Sequence, residues 1–347
     1  MRPALYDPHT ARMNPTQITP AHSPATERVW LLAAVAVVPI LAAASLFVGV
    51  SNVSIETLLS DDTSARAAQV LMISRVPRTL ALILAGAGIA VSGTIMQMLA
   101  RNRFVEPSTA GTVESASLGI LAVMLLAPDL PVFARMIVAA LFAFLGTALF
   151  LAILRQIPLR SVLVVPLVGI MLGGVISAVT TFFAYRHDMM QSLGAWTMGD
   201  FSGVLQGRYE LLWISFALTL VAYVAAGRFT VAGMGEAFAT NVGLNYRRIV
   251  ALGLVIVSMV TATVVATVGM VPFLGLIVPN VVSLAMGDNL RRTLPWIAIV
   301  GAGFVLACDI VGRVVLYPYE VPIGAVTGII GSALFLHLLL RKNARVG

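Results

Sequence analysis

The sequence carries very little charge for its length. Of 347 residues only 11% are Asp, Glu, Lys or Arg, whereas 59% are hydrophobic. A soluble domain has about a quarter of its residues charged, which covers its surface. This chain lacks that covering, which argues against a soluble protein and for a polytopic membrane protein. There is one cysteine, Cys308, so no intrachain disulfide can form. There is one lysine, Lys342, and Asn343 follows it. A phosphate-cradling P-loop needs Gly-Lys followed by Ser or Thr, so the chain has no such ATP site. The four histidines, His9, His22, His187 and His337, are too scattered for a metal site. Paired acids and nucleophile–base spacings are also missing, and nothing points to an enzyme. The net charge of +7 comes from arginines scattered between apolar blocks, a pattern that suits membrane topology rather than nucleic acid.

What the sequence does have is a succession of apolar runs. Residues 1–28 are polar and proline-dotted and read as a disordered cytoplasmic tail. Ten spans fit within residues 29–341: about Val29–Val50, Pro77–Ala100, Ser108–Ala127, Val132–Leu154, Ser161–Tyr185, Tyr209–Gly227, Ile249–Val268, a short span ending near Met286, Thr293–Val315 and Pro322–Leu340. Residues 342–347 are a second tail. Prolines and glycines from Gly269 to Pro279 interrupt the apolar pattern, and Pro77 reads as lying in the first turn of its helix. The expected fold is an all-α polytopic membrane protein. Ten spans put both termini on one side. If that side is cytoplasmic, the inner loops hold thirteen basic residues and the outer ones seven, tail arginines aside. That agrees with the positive-inside rule.

One polar stretch, residues 229–248, falls on the inner side. Gly235, Glu236, Ala237, Phe238 and Ala239, then Asn241, Gly243 and Leu244, suggest a short helix that Gly243 ends in a left-handed conformation. It reads either as a handle for a soluble partner or as an ordinary amphipathic loop. Two acids, Glu114 and Asp309, lie within spans, where an unpaired carboxylate is costly and a function is the default hypothesis. Arg313, one helical turn after Asp309, offers a local ion pair instead. Glu114 could face a pathway or hydrogen-bond another helix. Small residues at helical spacing (Gly86, Gly88 and Gly93; Gly169, Gly173 and Gly174; Gly324, Gly328 and Gly331) are a packing signal.

Several motifs together resemble one family. Arg75-Val76-Pro77-Arg78-Thr79-Leu80, Gly86-Ala87-Gly88, Ser92-Gly93, Gln97, Asn102 and Pro107 resemble the start of the iron-siderophore and cobalamin ABC permeases. The run Gly235-Glu236 to Leu244 resembles their coupling segment. Phe273-Leu274-Gly275-Leu276-Ile277-Val278-Pro279 and Glu320-Val321-Pro322-Ile323-Gly324 resemble two further family motifs. Asn280 stands where the family usually has His, and Arg103 where it often has Pro. The resemblance covers about residues 30–341, most of all with the ferric-siderophore branch, particularly catecholate-like siderophores.

The resemblance implies a cobalamin-permease-like type II importer fold in the bacterial inner membrane. It implies a second permease subunit (identical or paralogous), two cytosolic ABC ATPases that hold ATP and magnesium, and an outer substrate-binding protein. This chain would bind no cofactor and no nucleic acid. The resemblance assigns Gly235–Leu244 to ATPase coupling, Arg75, Arg78 and Arg313 to docking of the binding protein, and Asn102, Phe104, Ser161 and Val162 to a cytoplasmic gate. Alternatives are a cobalamin or haem importer and, from another class, an ion-coupled secondary transporter using Glu114 or Asp309.

Overall fold

The computed structural model of the chain describes residues 24–49, 64–157 and 164–340. Among these, every regular element is helical. The helices are α1 (Pro24–Phe47), α2 (Ser64–Val70), α3 (Val76–Ala100), α4 (Thr112–Leu126), α5 (Val132–Gln156), α6 (Val164–Arg186), α7 (Met190–Thr197), α8 (Leu212–Gly233), α9 (Glu236–Asn241), α10 (Tyr246–Val268), α11 (Leu274–Met286), α12 (Leu290–Val314) and α13 (Ile323–Leu340). Six stretches are long and apolar enough to cross a bilayer. Four shorter apolar helices, Val35–Phe47, Thr112–Leu126, Leu274–Met286 and Ile323–His337, bring the number to the expected ten.

α3 is the centre of the body. It packs against α12, α8, α11 and α10, and 83% of its apolar window is buried. Small residues make this possible. A methyl on Gly86 would come within 2.7 Å of the Gly301 carbonyl on α12, and one on Gly93 would overlap the Gly275 backbone of α11. Without side chains at these crossings, backbones approach closely, which is how helices associate in lipid where no hydrophobic force separates them from the solvent. The packing reading of the glycines therefore holds here. Gly174 differs from the others, since nothing lies within 4 Å of its added methyl.

Several boundaries differ from the sequence expectation. α1 begins at Pro24, inside the stretch read as tail. α2 runs through a π-helical turn (Leu71–Arg75) directly into α3, and Pro77 lies in the first turn of α3, as expected. Proline removes the donor to the carbonyl four residues back. That carbonyl, on Ile73, instead accepts the Gln206 N–H at 2.9 Å. α8 continues to Gly233, six residues past the expected end, with Phe229 fully buried. Arg228 lies inside this helix, where an arginine can extend its charge to water. The first five residues of the predicted coupling segment, 229–233, thus belong to α8, and its last three, Tyr246–Arg248, open α10. Pro279 lies inside α11, and the irregular backbone is confined to Gly269–Phe273.

Candidate functional site

α9 is a six-residue helix strung between the ends of α8 and α10. Glycines in positive-φ conformations bracket it, Gly235 at φ 111 and Gly243 at φ 82. Gly243 is therefore left-handed, as predicted. Ala239 and Gly235 face inward and are buried, whereas Glu236, Ala237, Phe238 and Asn241 are exposed. Met234, Phe238 and Val242, each four residues from the next, are 56%, 46% and 58% exposed. Three large apolar side chains thus sit on the protruding tip of a polar segment. Met234 and Val242 were not among the predicted site residues, though their spacing of four was visible in the sequence.

The connection after α3 is stitched to α11. Asn102 is buried, and its side-chain oxygen accepts the Phe104 N–H at 2.8 Å. The Phe104 ring meets Phe335 of α13 edge-on, with centroids 5.7 Å apart. Asn280 donates to the Arg103 carbonyl at 2.9 Å, and Arg103 pairs with Asp288 at 2.6 Å. The two positions where this sequence departs from the family pattern, Arg103 and Asn280, are therefore in direct contact. Gln97 donates to the Gly275 carbonyl at 3.4 Å. Asn102 and Phe104 thus lie together in this connection. The other predicted gate residues, Ser161 and Val162, lie outside the described residues.

Glu106 is the main residue that sequence reasoning missed here. It is 1% exposed and reaches across 167 positions to accept the Phe273 N–H at 2.9 Å. Gly275 and Leu276 also give it backbone hydrogen bonds, and Ser108 donates to it at 2.5 Å. Burial raises its carboxyl to about 7, against the lowering influence of these donors. The start of a helix has N–H groups without partners and favours negative charge. No side chain of α11 itself caps that start, so Glu106 supplies the acceptor from another part of the chain. The signal available in the sequence was an acid before Pro107 and a helix restarting after Gly269-Met270-Val271-Pro272 with no capping residue of its own.

The opposite end of α3 holds a buried ionic cluster. Arg78 pairs with Asp309 at 2.8 Å and with Glu320 at 2.7 Å. Arg313 pairs with the other Asp309 oxygen and donates to the Ser45 carbonyl at 2.9 Å and the Val48 carbonyl at 2.8 Å. Arg75 also donates to the Val48 carbonyl. The expected Asp309–Arg313 pair is present, with Arg78 as a further partner. Arg75, Arg78 and Arg313 are only 6%, 9% and 2% exposed. The physical reason is the cost of unpaired charge in an apolar body. Two acids distant in sequence, Asp309 and Glu320, draw Arg78 inward.

Glu114, in the first turn of α4, faces Gly173 of α6, and a methyl there would lie 3.4 Å from its Oε2 atom. That oxygen is buried without a hydrogen-bond partner. Glu114 is brought into neither the α9 region nor the arginine cluster.

Known proteins match this chain over most of its length. The Petrobactin import system permease protein YclN of Bacillus subtilis is 49% identical over 305 residues, covering 88% of this chain and 96% of its own. The Ferric-anguibactin transport system permease protein FatD of Vibrio anguillarum is 43% identical, covering 87% and 95%. The Vitamin B12 import system permease protein BtuC of Yersinia pseudotuberculosis is more distant, 34% identical over 77% of this chain and 80% of its own. A solved metal-chelate type ABC transporter in an inward-facing conformation shares the fold, with a TM-score of 0.75 at 24% identity over 91% of this chain and 99% of that one. With residues 37–341 matching the FecCD transport family, the chain belongs to that family and is a multi-pass permease subunit of an ATP-binding-cassette importer.

Proposed function

We propose that this permease carries ferric siderophore across the bacterial inner membrane by alternating access, driven through α9 by cytosolic ATPase subunits. One observation supports the drive most directly: exposed Phe238 on a short helix held between two spans, with exposed Met234 and Val242 on either side of that helix. Apolar side chains on a protruding tip gain by entering a partner's cleft. On this reading ATP and magnesium are bound by two ATPase subunits, and this chain binds no cofactor. Both termini face the cytoplasm. A second permease subunit completes the pathway, against faces such as that of α6, whose Leu167, Ile170, Met171 and Val175 are exposed.

The siderophore substrate rests on relatives named for petrobactin and anguibactin, which are more similar to this chain than the vitamin B12 permease. Cobalamin or haem is the second reading within the family. The outer binding protein docks at the edge of the ionic cluster, where Glu320 and Arg78 retain side-chain exposures of 26% and 11%. Asn102 and Phe104 act at the cytoplasmic gate. The ion-coupled alternative is weakened at Asp309, because two arginines already neutralise that carboxylate.

Reconstitution in proteoliposomes tests the proposal. Uptake of ferric petrobactin or ferric anguibactin should require the ATPase subunits and ATP. Uptake driven by a proton gradient alone, with no ATPase present, would overturn it.

A further inference from the structure

Arg101 is the point where the connection after α3 meets α9. It ends α3 in the left-handed region, at φ 50 and ψ 40, and donates its N–H to the Gln97 and Met98 carbonyls. Glycine or asparagine is the usual residue in that conformation, because a side chain there crowds the backbone. An outlier of this kind motivates a search for what the side chain does.

The guanidinium lies over Gly235, the residue that opens α9. A methyl built on Gly235 would sit 3.4 Å from Nη1, 3.5 Å from Cζ and 3.6 Å from Nη2 of Arg101, so the group covers the glycine with its flat face. A planar guanidinium can stack on a peptide in a way that a lysine ammonium cannot. Arg103 pairs with Asp288, but Arg101 has no ion-pair partner among the described residues. It also lines two clefts. One, of about 420 Å³, lies between α3, α8, α11 and α12, and the other, of about 430 Å³, lies between α3, α5, α9 and α10. Arg101 is the side chain standing between the clefts, and Glu236 of α9 lines the second of them. The residues after it are tied to α11 through Glu106–Phe273 and Asn280–Arg103.

We propose that Arg101 is the positioning residue through which α9 acts on the connection Asn102–Glu106. A displacement of Gly235 bears on the guanidinium, which is fixed to the last turn of α3. The connection and the start of α11 then move with it as one body. This inference rests on the reading of α9 as the ATPase-coupling element.

The test uses the full complex with its ATPase subunits. In a Cys308→Ser background, Phe104→Cys reports on the connection by its rate of thiol labelling with and without ATP. The further change Arg101→Gly suits the left-handed backbone, so a purely structural role predicts equal thermal stability and an unchanged response to ATP. Our inference predicts that Arg101→Gly still co-purifies with the ATPase but reduces the ATP-dependent change in labelling rate by about tenfold, the upper part of the range for residues that carry coupling. Arg101→Lys should restore little of it. An ATP response within twofold of the parent would overturn the inference, and so would loss of co-purification, which would make Arg101 a docking residue. Phe238→Asp separates the two readings. If Phe238→Asp abolishes the ATP response while Arg101→Gly keeps it, the inference about Arg101 fails and α9 remains the coupling element. If Phe238→Asp also keeps it, the coupling reading fails.

Discussion

The two ends of α3 are held in different ways. At the N-terminal end, Arg78, Asp309, Arg313 and Glu320 form a buried set of ion pairs, completed by carbonyls of Ser45 and Val48. At the Arg101 end, hydrogen bonds tie a connection to α11, the ion pair between Arg103 and Asp288 is exposed, and open clefts lie beside it. Buried charge pairs resist separation, because parting them leaves charge uncompensated in an apolar body. Exposed ion pairs exchange with water at little cost. The Arg78 end is therefore the more firmly held of the two, and the Arg101 end is the one the proposed drive would move.

Breaking the Arg78 end should have the largest effect. Asp309→Ala leaves two arginines without their shared carboxylate, and should destabilise the chain by about 3–5 kcal/mol, as removal of one partner from a buried pair does. Thermal unfolding in detergent measures this, and a loss below about 1 kcal/mol would mean that water reaches the cluster.

Glu106→Gln should have an intermediate effect, best seen through pH. The Glu106 carboxyl titrates near 7 in the folded chain, above the usual 4.5. Between those values the folded state holds the proton more tightly than the unfolded one, so the Glu106 contribution to stability is full below pH 4.5 and declines as pH rises through about 7. The melting temperature of the parent should therefore fall more steeply from pH 5 to pH 8 than that of Glu106→Gln. Parallel pH profiles would show that Glu106 is ionised throughout.

The smallest effect should come from Asp288→Asn. Its pair with Arg103 is 60% and 59% exposed on the two side chains, and such pairs contribute about 0–1 kcal/mol. Stability should hardly change, whereas the salt dependence of transport should weaken. A loss comparable to that of Asp309→Ala would erase the contrast between the two ends.

Much of this architecture was legible in the sequence because it is local. Apolar runs located the six long and four shorter apolar helices, the spacing of Asp309 and Arg313 predicted their pair, and Gly235 and Gly243 marked the ends of α9. Long-range pairing was not legible in the same way. Arg78 finds Asp309 and Glu320 at separations of 231 and 242 residues, and no periodicity reports such a meeting. Glu106 looked like a loop acid until α11 was seen to start beside it. The extension of α8 to Gly233 was not legible because Arg228 ends the apolar run, yet an arginine is tolerated inside a helix.

The most direct measurement is ATP-driven uptake of ferric siderophore by the assembled importer after Gly235–Asn241 is replaced with a flexible glycine-serine linker. The account predicts that the permease still folds and inserts but that uptake is abolished. Uptake at the parent rate would contradict the claim that α9 carries the drive from the ATPase to the spans.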